Sequence, residues 1–86
     1  MAYSILLAPP AERQLKALTE PVQKRIVKRL HTLRKNPRPQ GIKKLAGEVD
    51  LYRIREGDDR IIYTIRDKAL IVLVVKIGNR KDVYRA

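Results

Sequence analysis

The chain has 86 residues, and a domain of this size buries roughly two thirds of its unfolded surface, which allows one core of two layers. Its 20 Lys and Arg against 9 Asp and Glu give a formal net charge of +11, so a polyanion or an acidic protein is the expected partner. The absence of cysteine excludes disulfides, thiol nucleophiles and thiolate metal sites and favours a reducing cytoplasm, and the single histidine excludes sites that need two.

The first residues predict a short strand followed by a helix. Residues 3–7 form the strand, and Pro9 and Pro10 end it, because paired prolines cannot continue a ladder but can open a helix. The helix is expected over residues 10–18, since Ala11, Leu15 and Leu18 fall on one of its faces.

A second helix is the clearest element of the chain. Thr19 is its predicted N-cap, Pro21 lies in its first turn, and Asn36-Pro37 ends it, because the residue before proline is pushed out of the helical region. Its apolar stripe consists of Val22, Ile26, Leu30 and Leu33. The rest of its surface is strongly basic, so the helix is amphipathic.

The second half of the chain predicts strands. Residues 38–48 are expected to form a basic loop, after which strands are predicted over residues 51–55, 60–66 and 70–77, with turns between them. The third strand is interpreted as a continuously apolar run and should be central and covered on both faces, whereas the other two alternate. The order β-α-α-β-β-β predicts a single α+β domain in which two helices pack on one face of a small antiparallel sheet.

Arginines on the alternating strands are the first candidates for a site. If Tyr52 and Ile54 face the helices, Arg53 and Arg55 stand on the open face, and Arg60 begins the neighbouring strand across a tight turn. Arg80 and Tyr84 follow the third strand in the sequence and could fold back to the same end of the sheet. Such a group could clamp a phosphate and stack a base, or it could merely keep an edge strand soluble.

A second group of cations lies on the second helix and in the loop after it. Either it tracks a nucleic-acid backbone or it is the solvated face of an amphipathic helix. Its members are Lys24, Lys28, Arg34, Lys35, Arg38, Lys43 and Lys44. His31 lies outside the apolar stripe and is expected to be solvated. Turn propensity explains Asp58 and Asp59, so no metal site is predicted.

Several spaced blocks of the sequence resemble the RelE/ParE toxin superfamily. They are KLAG at residues 44–47, LYRIR at 51–55, GDDRIIY at 57–63 and VKIGNRKDVYR at 75–85. Together with the first strand and the helical pair they cover nearly the whole chain. The resemblance implies a RelE-like fold and a toxin of a type II toxin-antitoxin module.

For the RelE-like branch, the resemblance further implies an endoribonuclease that cleaves mRNA in the ribosomal A site and so inhibits translation. Such enzymes are thought to act without a metal or other cofactor, the ribose 2′-hydroxyl attacking the adjacent phosphate. The family's functional positions correspond to Arg53, Arg55, Arg60, Arg80 and Tyr84. Some relatives carry lysine at the first two positions and many carry histidine where this chain has Asn79, so the groups that transfer protons are open.

The implied partners are a RelB-like antitoxin, the ribosome and mRNA, with DNA bound only through the antitoxin complex. No membrane partner is expected, because the longest apolar run, residues 70–75, is far shorter than the roughly 20 residues of a spanning helix. Two alternatives stay open at this point. One is a ParE-like gyrase poison without nuclease activity, and the other is a basic DNA-binding component of a repressor complex.

Overall fold

The computed structural model describes residues 2–45 and 50–79, which form a five-stranded sheet with two helices on one face. The strand order is β1-β5-β4-β3-β2. The elements in chain order are β1 (Ser4–Leu7), α1 (Pro9–Ala17), α2 (Glu20–Lys35), β2 (Lys43–Leu45), β3 (Leu51–Glu56), β4 (Asp59–Arg66) and β5 (Ile71–Asn79). The predicted α+β class and the two helices are confirmed.

Both helices bury the apolar stripes that the sequence predicts. Ala11 of α1 and Ile26 and Leu33 of α2 have no exposed surface, and the other stripe residues pack against the same core. Thr19 occupies the N-cap position of α2, but its side chain makes no capping hydrogen bond. Instead Gln23 donates its amide to the carbonyl oxygens of Leu18 and Lys16 at 2.9 and 3.1 Å, which ties α2 to the end of α1.

The sheet differs from the predicted antiparallel meander at both edges. β1 pairs with β5 in parallel, and β2 lies within the segment that we expected to be a loop, paired antiparallel with β3. The local sequence predicts neither feature. β2 has only three residues, too few to show the two-residue alternation of a strand. β1 pairs with a strand more than sixty residues away along the chain. Local pattern carries no information on the direction of such a pairing.

The prediction that the third strand of the meander is central was wrong. β4 is the middle strand of the sheet, and its residues 60–65 are buried on both faces. β5 lies one strand from the edge and carries a lysine, Lys76, within its apolar run. The strand also extends through Gly78 to Asn79, beyond its predicted end at residue 77. At its other end, Leu70, which we expected within the strand, belongs to the preceding turn with a φ of 55°.

A β-bulge interrupts β5 at Val75. Ile62 is opposite Lys76, but the next residue of β4, Tyr63, is opposite Val74, so Val75 is the extra residue. Val74 and Ile77 consequently both belong to the core although three positions separate them. Just past the bulge, the backbone N–H of Ile77 donates to the side-chain oxygen of Gln14 on α1 at 2.8 Å.

Candidate nucleic-acid interface

The sheet face turned away from the helices is strongly basic. Tyr52 and Ile54 pack in the core, so Arg53 and Arg55 point to the opposite face, as predicted. The strand register then aligns two rows across that face. One row is Lys43, Arg53, Ile62 and Lys76, and the other is Arg55, Arg60 and Gly78. We call Lys43, Arg53, Arg55, Arg60 and Lys76 the basic cluster.

Arg60 is the most buried cation of this cluster. Only 6% of its surface is exposed, because it lies on the central strand, directly between Arg55 and the side-chain-free Gly78. Its Nη1 donates to the carbonyl oxygen of Asp59 at 3.3 Å, while its buried Nε has no hydrogen-bond partner among the residues that the structure describes. A buried guanidinium with an unmet donor is costly in isolation and fits a site that receives an anionic ligand.

Carboxylates are segregated from this face. In the described strands, no Asp or Glu occupies a position facing the same side as Arg53 and Arg60. Five ion pairs lie on other surfaces of the described chain and join Glu12 to Lys16, Glu20 to Lys24, Glu56 to Arg29, Asp67 to Arg38 and Asp50 to Lys44. The charged side chains at the described strand positions of this face are therefore all cationic, and such a concentration of positive charge attracts polyanions.

The structure brings together only part of the predicted catalytic group. Arg53, Arg55 and Arg60 lie on adjacent strands, with Arg55 and Arg60 directly opposite each other. Arg80 and Tyr84 lie outside the described residues, so their positions stay predictions. Lys76 was missed, because the predicted strand over residues 70–77 was interpreted as apolar throughout. Its signal is a single charge within seven residues that are otherwise apolar.

The cations predicted to contact ribosomal RNA separate into groups. Lys43 belongs to the basic cluster. Lys28 and Lys35 are exposed on α2, as is His31, which is solvated as expected. Three others have partners in the fold: Lys24 lies 3.3 Å from Glu20, Lys44 lies 2.9 Å from Asp50, which raises the pKa of the lysine, and the Nε of Arg34 donates to the Tyr3 carbonyl at 3.3 Å.

Arg38 has a structural role that its sequence position does not indicate. Its two terminal nitrogens donate to the two oxygens of Asp67 at 3.1 and 2.9 Å, and its guanidinium carbon lies 5.8 Å from the ring centre of Tyr52. Tyr52 stacks on Tyr63 with ring centres 5.9 Å apart. These contacts fasten the segment after α2 to the helix-side face of the sheet.

Tyr63 ends this chain of contacts in the core. Its hydroxyl donates to the carbonyl oxygen of Pro37 at 2.8 Å. Burial raises the pKa of Tyr63 to about 12, so this phenol stays protonated and serves as a fixed donor. It faces away from the basic cluster and is not a candidate for proton transfer there.

The described residues contain no group of three or more His, Asp or Glu side chains that could hold a metal ion. Among the same residues, neither helix is long and apolar enough to cross a membrane. The basic cluster offers guanidinium and ammonium donors, which are suited to phosphate oxygens.

The domain thus consists of two helices behind a sheet whose open face carries cations, and a cationic surface of this kind attracts polyanions. The family model described as the ParE toxin of the type II toxin-antitoxin system, parDE, matches residues 5–84. The chain therefore belongs to this family of type II toxins, as its resemblance to the RelE/ParE superfamily implied.

Individual relatives carry the names of RelE or RelE-like toxins. One from Escherichia coli, named as a RelE-like toxin protein, is 32% identical over 88 residues, covering 98% of this chain and 92% of the relative. Another from Methanocaldococcus jannaschii, named as a RelE toxin, is 28% identical and covers 99% of this chain and 98% of its own. The archaeal RelE–RelB complex from Pyrococcus horikoshii has a TM-score of 0.81 at 28% identity, with full coverage of both chains. The RelE-like fold is confirmed.

The ion pair of Arg38 with Asp67 predicts a pH dependence of stability. Hydrogen bonds from Arg38 and Tyr3 lower the pKa of Asp67 to about 2, below its value of about 3.9 in an unfolded chain. Because the pKa of Asp67 is lowered in the folded state, its ionised carboxylate stabilises the protein above about pH 4. This contribution is lost as the pH falls through about 2. The free energy of unfolding, measured with urea, should decline less over this range for Asp67→Asn than for the original protein.

The matched control for this measurement is Asp58→Asn, which removes an exposed carboxylate from the turn between β3 and β4. It should follow the original protein over the whole range. Identical pH profiles for Asp67→Asn and Asp58→Asn would contradict a role of the Arg38 pair in stability.

Proposed function

We propose that this type II toxin is a ribosome-dependent endoribonuclease that cleaves mRNA in the A site without a metal and thereby inhibits translation. The observation that supports this most directly is Arg60. It is buried on the central strand with an unpartnered Nε, opposite Arg55, on a face whose described strand positions carry no carboxylate. RNA phosphate is the ligand that these donors suit best.

The proposed reaction is attack of a ribose 2′-hydroxyl on the adjacent phosphate. The bond from O2′ to phosphorus forms, the bond from phosphorus to O5′ breaks, and the proton lost from O2′ is balanced by one gained at O5′. The products are a 2′,3′-cyclic phosphate and a 5′-hydroxyl end. Negative charge grows on the non-bridging oxygens, where positioned guanidinium groups stabilise it.

Arginine suits the electrostatic part of this reaction and not the proton transfer. A guanidinium group offers hydrogen-bond donors and no acceptor, so Arg53, Arg55 and Arg60 act as permanent donors and not as bases. Tyr84 remains the candidate for base stacking or proton transfer that the family resemblance provides, and Arg80 remains the further candidate phosphate ligand.

Removing Arg60 tests the proposal. Arg60→Ala should slow single-turnover cleavage of mRNA on programmed ribosomes about a hundredfold, or about 3 kcal/mol, because a positioned donor to the developing charge is lost. Arg66→Ala is the matched control, since Arg66 is an exposed arginine at the far end of the same strand and face. Ribosome affinity should be unchanged in both variants.

The cleavage products add a second criterion. New 5′ ends should be hydroxyls and not phosphates, and the rate should not fall as a chelator lowers free magnesium towards the level that ribosomes require. If the original protein binds ribosomes but leaves the message intact, the nuclease proposal is wrong.

The second candidate is a gyrase poison, because the family model that matches the chain is described as ParE. In that case the basic cluster would contact a protein–DNA complex and no RNA would be cut. Gyrase-linked DNA breaks in the presence of the toxin, together with intact mRNA on ribosomes, would select this candidate. The curated relatives, both named as RelE proteins, favour the nuclease.

We propose that α2 docks the toxin on ribosomal RNA through its exposed cations. Lys28 and Lys35 lie on the exposed surface of this helix, and such phosphate contacts position a protein without selecting sequence. The double variant Lys28→Glu and Lys35→Glu should bind ribosomes more weakly and with a shallower dependence on salt.

A double charge reversal away from α2 provides the control for docking. Arg13→Glu with Lys68→Glu changes the net charge equally at two other exposed positions and should retain most of the affinity. Equal losses in the two double variants across a salt titration would mean that net charge, and not this helix, determines binding.

We also propose a RelB-like antitoxin as the partner that keeps the toxin inactive. A groove of about 430 Å³ runs between β1 and the helices, lined by apolar side chains that include Ile5, Leu15 and Val27 and by Arg34. Val27 and, on the other face of β1, Leu6 are exposed by 40% and 48%. An acidic amphipathic segment that folds on contact would cover both the apolar groove and the basic surface.

Charge introduced into the groove should weaken this complex. Val27→Asp is expected to reduce antitoxin affinity at least about tenfold, the loss of a buried apolar contact, with little change in the unfolding midpoint. Lys16→Ala, on the exposed surface of α1, is the control. Titration calorimetry with the product of the neighbouring gene measures both. A neighbouring product that neither binds the toxin nor relieves growth inhibition would contradict the proposed partner.

A further inference from the structure

We propose that Lys76 is a further catalytic residue, which binds the scissile phosphate together with Arg60. This inference rests on the proposed endoribonuclease activity and adds a residue that neither the strand pattern nor the family resemblance indicated. It comes from the way in which β5 is built where it crosses the basic cluster.

The bulge at Val75 determines which face Lys76 occupies. Val72 and Val74 point into the core, and regular alternation would direct residue 76 there as well, placing a charged group among the helices. The extra residue reverses the alternation, so that Ile77 enters the core and Lys76 faces the open side, opposite Ile62. Bulges that redirect a side chain in this way are frequent beside active sites.

The fold holds the bulge in place from the helix side. β1 is paired with β5 only as far as Val74, because the prolines that start α1 end the strand. The N–H of Ile77 therefore lies beyond the reach of β1, and the side-chain oxygen of Gln14 accepts it at 2.8 Å. This hydrogen bond satisfies a backbone N–H that strand pairing with β1 does not reach, and it fixes the backbone next to Lys76.

The register places Lys76 within reach of the same ligand as Arg60. Arg60 is opposite Gly78, so Lys76, two residues earlier on β5, is its diagonal neighbour, at a typical separation of about 7–8 Å between backbones. Gly78 has no side chain to stand between them. Both side chains are longer than half that separation, so a phosphate seated over this corner can contact the guanidinium and the ammonium group together.

The two cations would serve the phosphate differently. The guanidinium of Arg60 is planar and buried and offers donors in a fixed direction, whereas the ammonium of half-buried Lys76 is a compact charge on a flexible stem. Such a group can follow the phosphoryl oxygens as their charge grows in the transition state. Lys76 thus adds positive charge on the side of Arg60 opposite to Arg55.

Substitution of Lys76 by Met and by Arg separates charge from shape. Lys76→Met should lower the single-turnover rate on programmed ribosomes about 10- to 100-fold, as expected for one charge-assisted hydrogen bond, with ribosome affinity and the unfolding midpoint retained. Lys76→Arg should recover most of the rate with an unchanged pH–rate profile. Arg66→Met, which removes one charge from the far end of the same face, is the control and should cleave like the original protein.

The possible results distinguish this inference from the activity on which it rests. If the original protein cleaves mRNA and Lys76→Met cleaves within about twofold of it, Lys76 is not catalytic while the nuclease proposal stands. If Lys76→Arg is as slow as Lys76→Met, the charge role is wrong. If Lys76→Met unfolds, Lys76→Gln provides the same comparison. An original protein that leaves mRNA intact overturns the proposed activity and, with it, this inference.

Discussion

The arrangement of this toxin depends on the central strand, β4, being paired with a neighbouring strand along each of its edges. A middle strand has each of its backbone groups paired with neighbours, so its side chains are held in fixed register with those of β3 and β5. One set of alternate residues, including Ile61 and Tyr63, joins the core under the helices. The other set begins with Arg60, which is thereby fixed within its row, between Arg55 and Gly78. A cation held in this way needs little reorganisation to meet a ligand.

Holding such a charge has an energetic cost that the fold offsets elsewhere. The net charge of +11 opposes compaction, and most of the acidic side chains that the structure describes lie in ion pairs on the helices, the loop after α2 and the edge of β2. Packing of Ile26, Leu33 and the core face of the sheet provides the opposing stabilisation. The paired carboxylates that the structure describes thus lie where they support the fold and away from the strand positions of the basic cluster.

Local pattern predicted the helices and the orientation of Arg53 and Arg55, because a stripe at helical spacing and a period of two leave little choice about which side is buried. It did not predict β2, which has too few residues to show a period. The parallel pairing of β1 depends on the path of the chain around the helices, so no residue near β1 encodes it. Lys76 was missed for a third reason: its face depends on a one-residue irregularity that only the pairing with β4 reveals.

The hydrogen bond from Tyr63 to Pro37 joins the end of α2 to the strand that carries Arg60 on its other face. The outer surface of α2 and the basic cluster therefore lie on opposite sides of the domain. They are separated by little more than the thickness of a sheet and a helix, and a helix alone is about 10–12 Å across. A protein anchored through the outside of α2 would hold its cationic face at a fixed height above the surface to which it is attached. The packing of the core therefore determines the distance between a surface bound by α2 and a second ligand bound by the cationic face.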